Sequence, residues 1–237
     1  MRSHACPRHL LAALAAATFA APGLAVAVPL AGIFTIDGTW ILAAGPPQTI
    51  SFQDDSPPFS PNKGQMGSAG LSGTFVALFG TDATLRPISD PPAVPGGSGF
   101  PPQPFLSFDA NPALGTLALD FIAQGLNPSA GCAAAPAPGQ LCALPGSPFD
   151  FQNTLTGGSR VGWSMSGTAM DGSTWTADFT SQFAVPYQSL LATLANGGVA
   201  TSTYSATFKA VVPEPATLAL LGVGLGALAA RSRRRAR

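Results

Sequence analysis

The sequence predicts an all-β protein, an antiparallel β-sandwich of the jelly-roll kind with one short helix. Apolar and polar residues alternate with period two along several segments, as in half-buried antiparallel strands. Only 9% of residues are charged, which excludes a coiled coil or a helical array. Residues 28–212 are long enough for one domain with its own core. We expect a signal peptide at residues 1–27 and a transmembrane helix at 216–230 to flank this domain.

Residues 1–27 have the three parts of a secretory signal peptide. Arg2 and Arg8 precede the apolar run Leu10–Ala21, and Ala25 and Ala27 fit the small-x-small cleavage pattern. We therefore expect export through the Sec machinery and cleavage by signal peptidase after Ala27.

Cleavage there would change the chemistry open to the mature chain. His4 and His9 are the only histidines and would leave with the signal peptide. The remaining chain could then hold neither a Ser-His-Asp or Cys-His nucleophile system nor a histidine metal site.

The strands are predicted from alternation, which is clearest in Val161–Met165, Trp175–Phe183 and Tyr204–Ala210. Further strands are predicted at Ile33–Ile36, Trp40–Leu42, Thr49–Gln53, Gly73–Phe79, Phe105–Phe108, Leu114–Phe121 and Phe149–Gln152. We expect Asp37-Gly38 and Asp171-Gly172 to form tight hairpin turns, because Asp-Gly favours the positive φ values that such turns need.

One helix is predicted between the last two strands. Tyr187, Leu190, Leu191 and Leu194 follow the spacing of an apolar helix face, and Gly197 offers a C-terminal cap. We expect this helix to pack across an open end of the sandwich or to cover an edge strand.

Two proline-rich stretches, Arg86–Pro104 and Pro128–Pro148, are predicted to be surface loops that act as spacers or as binding loops. The second contains Cys132 and Cys142, an even pair in an exported chain, for which a structural disulfide is the favoured prediction. The alternatives are weaker, because a metal site needs more ligands and a redox centre favours CxxC spacing.

Binding and catalytic candidates are few. Trp40, Trp163 and Trp175 could form a sugar-binding platform, but alternation places Trp163 and Trp175 in the core and leaves Trp40 more open. Asp54-Asp55 is the densest acidic pair, and calcium binding there is a weaker alternative because no DxDxDG spacing occurs. We assign no catalytic residue, no metal and no cofactor.

Charge also limits the partners. Residues 28–212 hold four basic residues against ten aspartates, a net charge of −6, which argues against nucleic-acid binding.

The C-terminal segment, residues 212–237, has three parts. Pro213, Glu214 and Pro215 come first, followed by the apolar run 216–230. The basic residues that follow are Arg231, Arg233, Arg234, Arg235 and Arg237. As a helix the apolar run would span only about 22 Å, less than a hydrocarbon core, so insertion depends on snorkelling arginines that stay cytoplasmic.

This tail resembles the PEP-CTERM sorting signal of Gram-negative bacteria. The resemblance implies that exosortase, a membrane protease or transpeptidase, recognises Pro213, Glu214 and Pro215 and processes the chain. It also implies transient anchoring in the inner membrane, a final place at the cell surface or in the extracellular matrix, and association with exopolysaccharide and biofilm. The same tail is sometimes labelled an ice-binding protein C-terminal domain, a label that describes only the tail.

Together these observations predict three regions: a signal peptide at 1–27, an extracellular β-sandwich at 28–211 and the sorting signal at 212–237. We expect the body to be a non-enzymatic surface or matrix protein. A carbohydrate-binding or adhesion module of the cell envelope is the alternative, and a hydrolase is a third hypothesis.

Overall fold

Eight antiparallel strands form a closed β-barrel in the computed structural model, which describes residues 29–43, 49–54, 60–67, 70–89, 99–212 and 225. The described residues contain twelve strands in all: β1 (Gly32–Ala43), β2 (Thr49–Gln53), β3 (Lys63–Met66), β4 (Asp82–Leu85), β5 (Ile88–Ser89), β6 (Gln103–Phe108), β7 (Thr116–Ile122), β8 (Leu141–Cys142), β9 (Asp150–Asn153), β10 (Ser159–Ala169), β11 (Thr174–Phe183) and β12 (Val199–Val211). Of these, β2, β5, β8 and β9 lie outside the ring of eight. Helix α1 (Tyr187–Ala195) connects β11 to β12. The ring runs β11-β12-β1-β3-β4-β6-β7-β10 and closes where β10 pairs with β11.

The predicted sandwich is therefore wrong, although the all-β class is confirmed. Period-two alternation determines which side chains point inward, but a sandwich and a barrel share that pattern. The difference lies in pairing: β10 and β11 pair along nearly their whole length and leave no gap between two sheets.

The barrel closes because each of two long strands pairs with two different strands along one of its edges. β1 pairs with β3 near Ile36 and then with β2 from Thr39 onward. β10 pairs with β9 and then with β7, and its register shifts between Ser166 and Gly167. Bulges of this kind bend a strand and are typical of barrels.

The predicted Asp37-Gly38 turn is also wrong, because both residues lie within β1. A side chain at Gly38 would begin 2.6 Å from the Gln53 carbonyl oxygen and 3.0 Å from the Tyr204 ring. Gly38 therefore makes room for an inward-facing tyrosine on the neighbouring strand. In contrast, Asp171-Gly172 does form the β10–β11 turn, with Gly172 at φ +84°.

The predicted strand Gly73–Phe79 is instead a 3-10 helix, Gly73–Leu78. Its two buried residues, Phe75 and Leu78, are three positions apart, which matches one face of a 3-10 helix. Phe75 packs 4.5 Å from Phe34, so this helix plugs one end of the barrel. The short strands β3, β4, β5 and β8 were not predicted, because segments this short carry too little alternation to detect.

Aromatic rings fill the barrel interior. Phe34 stacks on Phe208 at 4.7 Å, and Trp163 stacks on Phe179 at 4.9 Å. Large residues face small ones across strands, as where Phe208 lies opposite Ala177. This packing is typical of eight-stranded barrels, whose interior is just wide enough for side chains.

The two ends of the barrel differ. At one end, here called the base, the described chain enters at Leu30 and leaves after Val211, since Gly32 pairs with Ala210 and Thr174 with Val211. The opposite end, the apex, is covered by α1 and by the loop 126–149. Helix α1 confirms the predicted helix, but it covers an end of a barrel rather than of a sandwich.

Asp171 fastens the entering chain to the base. Its carboxylate accepts hydrogen bonds from the Leu30 N–H at 2.6 Å and from the Ser173 hydroxyl at 2.7 Å. Burial alone would raise the pKa of Asp171, but these hydrogen bonds outweigh it and lower the pKa below its ordinary value. The charged form therefore stabilises the fold above pH 4 or so, and this contribution is lost as the pH falls through the lowered pKa.

We expect Asp171→Asn to lower the free energy of unfolding at pH 7 by about 1 kcal/mol, since hydrogen bonds to a charged, partly solvated group are weakened. Urea unfolding at pH 7 and pH 3 measures this, and the difference from wild type should shrink at pH 3. Asp82→Asn, at an exposed position of the same end, is the control. An equal loss at both pH values would show that the charge of Asp171 is not the cause.

Candidate functional site

An apolar groove of about 740 Å³ lies at the apex, between α1 and the loop 144–149. The end of β1 forms its floor through Leu42 and Ala43, and Leu191, Leu194 and Ala195 line it from the helix. The volume is in the range of small-molecule sites.

The described residues that line the groove include no ionisable side chain that could act as a general acid or base. Its polar lining side chains, among the residues the structure describes, are Gln188 and Ser147, and none of its lining residues is an acid or a base. Gln188 is already engaged, because it donates to Gln140 at 2.7 Å and accepts from Asn153 at 3.0 Å. The groove can therefore exclude water from an apolar ligand, but it presents no general acid or base.

Cys132 and Cys142 lie at disulfide distance, with Cα atoms 4.9 Å apart. Cys142 is in β8 and Cys132 follows a 3-10 turn, Ser129–Gly131, so the link would hold the apical loop against the barrel. This geometry suits the predicted disulfide.

The three tryptophans are all buried, so none forms a sugar platform. This confirms the core placement of Trp163 and Trp175. It corrects the expectation that Trp40 is more open: Trp40 points into the barrel, 4.7 Å from Trp163, and its indole N–H donates to Ser181 at 2.8 Å.

Asp150 and Asp178 line one small cavity of about 290 Å³, but Asp54 of the predicted acidic pair is not part of it. Asp54 accepts a hydrogen bond from the Ser60 N–H at 2.7 Å, which is a loop-closing role, and Asp55 lies outside the described residues. No group of three potential metal ligands occurs in the described part of the chain. Burial raises the pKa of Asp120, which lines neither this cavity nor the apical groove.

A continuous surface of hydroxyl groups covers one side of the barrel, here called the hydroxyl face. It consists of outward-facing residues on four neighbouring strands: Thr39, Ser164, Ser166, Thr168, Thr174, Thr176, Thr180, Thr201, Thr203, Ser205 and Thr207. The registers place them side by side; Ser205, for example, lies opposite Asp37 on one neighbour and Thr180 on the other. Strand spacing sets adjacent rows about 4.7–4.9 Å apart.

Charges on the hydroxyl face balance. Arg160 and Lys209 are its cations, and Asp37 and Asp178 are its anions among the described residues. Asp178 accepts a hydrogen bond from the Ser164 hydroxyl at 2.6 Å. The face can donate and accept many neutral hydrogen bonds without attracting either sign of charge.

Neither the groove nor the hydroxyl face could be predicted from the sequence. Alternate Thr and Ser residues in β11 and β12 were visible in the sequence, but strand register alone shows that they form one surface. The groove joins residues from four distant segments and has no sequence signal.

The predicted processing sites lie outside the described residues. These are Ala25 and Ala27, the Pro213–Pro215 motif, the apolar run 216–230 apart from Leu225, and the arginines from 231 onward. Within the described ranges, no helix has both the length and the apolarity needed to cross a membrane. The structure does place the start of this tail, because β12 ends at Val211 in the base of the barrel.

Comparison with known proteins gives one family match, at the C-terminal end. Residues 211–235 match the family model of the PEP-CTERM protein-sorting motif. Neither a curated protein nor a solved structure matches the chain. The chain therefore carries a PEP-CTERM sorting motif directly after the last barrel strand, which implies export, transient membrane anchoring through the C-terminal tail and processing by exosortase.

Proposed function

We propose that the barrel is a non-enzymatic surface or extracellular-matrix protein that associates with exopolysaccharide after exosortase has processed it. The hydroxyl face is the observation that carries this proposal. Rows of Thr and Ser on β10, β11 and β12, together with Thr39 on β1, present donors and acceptors of the kind that sugar hydroxyls pair with.

The balance of charge favours a neutral polysaccharide as the partner. Two cations and two anions share the hydroxyl face, so an acidic polymer would gain no net attraction. Individually weak hydrogen bonds can add up along a repeating polymer, because each bound repeat raises the effective concentration of the next.

The packed interior supports a non-enzymatic role. Phe34, Phe179 and Phe208 occupy the space in which a larger barrel would hold a ligand. The apical groove offers no ionisable side chain within the described residues. Removal of His4 and His9 with the predicted signal peptide would add to this limitation.

We expect the double substitution Thr203→Val and Thr207→Val to weaken retention on the host's purified exopolysaccharide about tenfold, because two neutral hydrogen bonds contribute about 0.5–1.5 kcal/mol each. Both residues are exposed on β12, and valine keeps the β-branched shape that suits a strand. Co-sedimentation of the full chain with the polysaccharide measures the effect.

The double substitution Thr156→Val and Thr193→Val is the matched control, since it makes the same change at two exposed threonines of the apex, away from the hydroxyl face. Retention that is equal in the β12 variant, the control and wild type would exclude the hydroxyl face as the binding surface. A hydrolytic alternative would require release of sugar fragments from the same polysaccharide.

A further inference from the structure

The base of the barrel exposes apolar side chains next to the exit of the sorting motif. The most exposed are Met170, at 81%, and Phe79, at 62%. We call the whole set the basal apolar arc: Ile33, Val76, Phe79, Met170 and Val211.

The members of the basal apolar arc follow the sheet order around one side of the base. Val76 and Phe79 belong to the connection between β3 and β4, which packs on the start of β1 through the Thr74 N–H and the Ala31 carbonyl. The next members follow the sheet order: Ile33 in β1, Val211 in β12, and Met170 in the turn between β10 and β11. Val211 thus lies inside the arc rather than beside it.

Charges near the arc are mostly occupied. Asp171 is engaged by Leu30 and Ser173, and Asp109 forms an ion pair with Lys63. Asp82 and Lys209 are the remaining exposed charges of the described base, one of each sign. Three aspartates and two lysines give the described base a formal charge of only −1, so its apolar surface meets little repulsion from zwitterionic lipid headgroups.

The length of the tail fixes how far the base can be from the membrane. Only residues 213–215 separate Val212 from the apolar run that begins at Ala216. A fully extended chain covers at most about 14 Å between those two residues. Anchoring through the apolar run therefore keeps the base within reach of the headgroup layer.

We propose that the basal apolar arc rests on the bilayer surface while the tail is anchored, with the apex and its groove pointing away from the membrane. This inference rests on the anchoring that the sorting motif implies. Phe79 and Met170 would enter the interfacial layer, where apolar side chains gain from leaving water. The lipid surface is the partner we infer, because the short segment between the barrel and the apolar run holds this end of the barrel close to the membrane.

The test uses the full chain, places a tryptophan at one end or the other of the barrel, and measures the contact of that tryptophan with lipid. Phe79→Trp reports on the base, and Leu155→Trp is the matched control in the apical turn between β9 and β10, where Leu155 is 85% exposed. The native Trp40, Trp163 and Trp175 are buried and give a constant background. Each variant is reconstituted with vesicles of zwitterionic lipid, recovered by flotation, and measured with and without brominated acyl chains.

We expect brominated lipid to quench the introduced tryptophan at position 79 about twice as strongly as the one at position 155, because interfacial side chains lie near the acyl boundary. Flotation with equal quenching of both variants would overturn the lipid contact and leave anchoring intact. Failure of wild type and both variants to float would overturn the anchoring on which the inference rests. Concentration-dependent protection of position 79 from aqueous quencher, without lipid quenching, would assign the arc to a second copy of the chain and overturn the proposal.

Discussion

Replacing Phe179 with alanine is expected to lower the free energy of unfolding by about 3–5 kcal/mol, the range for buried phenylalanines. Phe179 lies fully buried at the centre of the barrel, 4.9 Å from Trp163 and 5.8 Å from Tyr204. Its cross-strand neighbour Ala206 is too small to fill the space that the ring would leave. Rings from three other strands would lose a packing partner together.

Urea or thermal unfolding of the full chain in detergent, followed by near-UV circular dichroism, measures this loss. Phe79→Ala is the matched control, because it removes the same atoms from an exposed position and should change stability by less than about 0.5 kcal/mol. A similar loss in both variants would mean that Phe179 is not a central packing residue of the folded state.

Features that depend on a local pattern could be predicted from the sequence. Alternation located β10, β11 and the inward faces of Trp163 and Trp175, and the leucine spacing located α1. The Asp171-Gly172 turn followed from a dipeptide whose preferred backbone fits a tight hairpin. Each of these features depends on residues close together in the chain.

Features that depend on contacts between distant residues could not be predicted from the sequence. The Asp-Gly dipeptide predicted a turn at Gly38. Instead, Gly38 lies opposite Tyr204 on the neighbouring strand and leaves space for its ring, a contact between residues far apart in the sequence. Gly73–Leu78 has strand-like composition, yet Phe75 and Leu78 pack against the barrel base only in a 3-10 helix. Closure of the ring is likewise a long-range pairing that no local pattern records.

The functional features also differ in whether they can be predicted from the sequence. The sorting motif is a contiguous segment, and its residues were predicted before any fold was known. The hydroxyl face and the basal apolar arc exist only once the registers and turns are fixed. Trp40 illustrates the difference, because an open position was expected and the closed barrel buries it.

Replacing Glu214 with glutamine is expected to abolish processing by exosortase. Glu214 is the only glutamate in the chain and the only charge in the Pro213–Pro215 motif. A proline flanks it on either side, so the carboxylate is the single ionic feature that an enzyme could recognise there. Glutamine keeps the length of the side chain and removes only its charge.

Intact mass of the protein recovered from the native host, with and without its exosortase, measures the effect. Wild type should lose the residues after the motif only when exosortase is present, whereas Glu214→Gln should retain its C-terminus at Arg237 in both strains. Asp82→Asn makes the same carboxylate-to-amide change on the exposed base and should be processed like wild type. Normal processing of Glu214→Gln would contradict recognition through the charge, because the barrel base that precedes the motif is identical in the two proteins. Since only one residue separates Val212 from Glu214, a loss confined to Glu214→Gln would also mean that the enzyme works close against the base of the barrel.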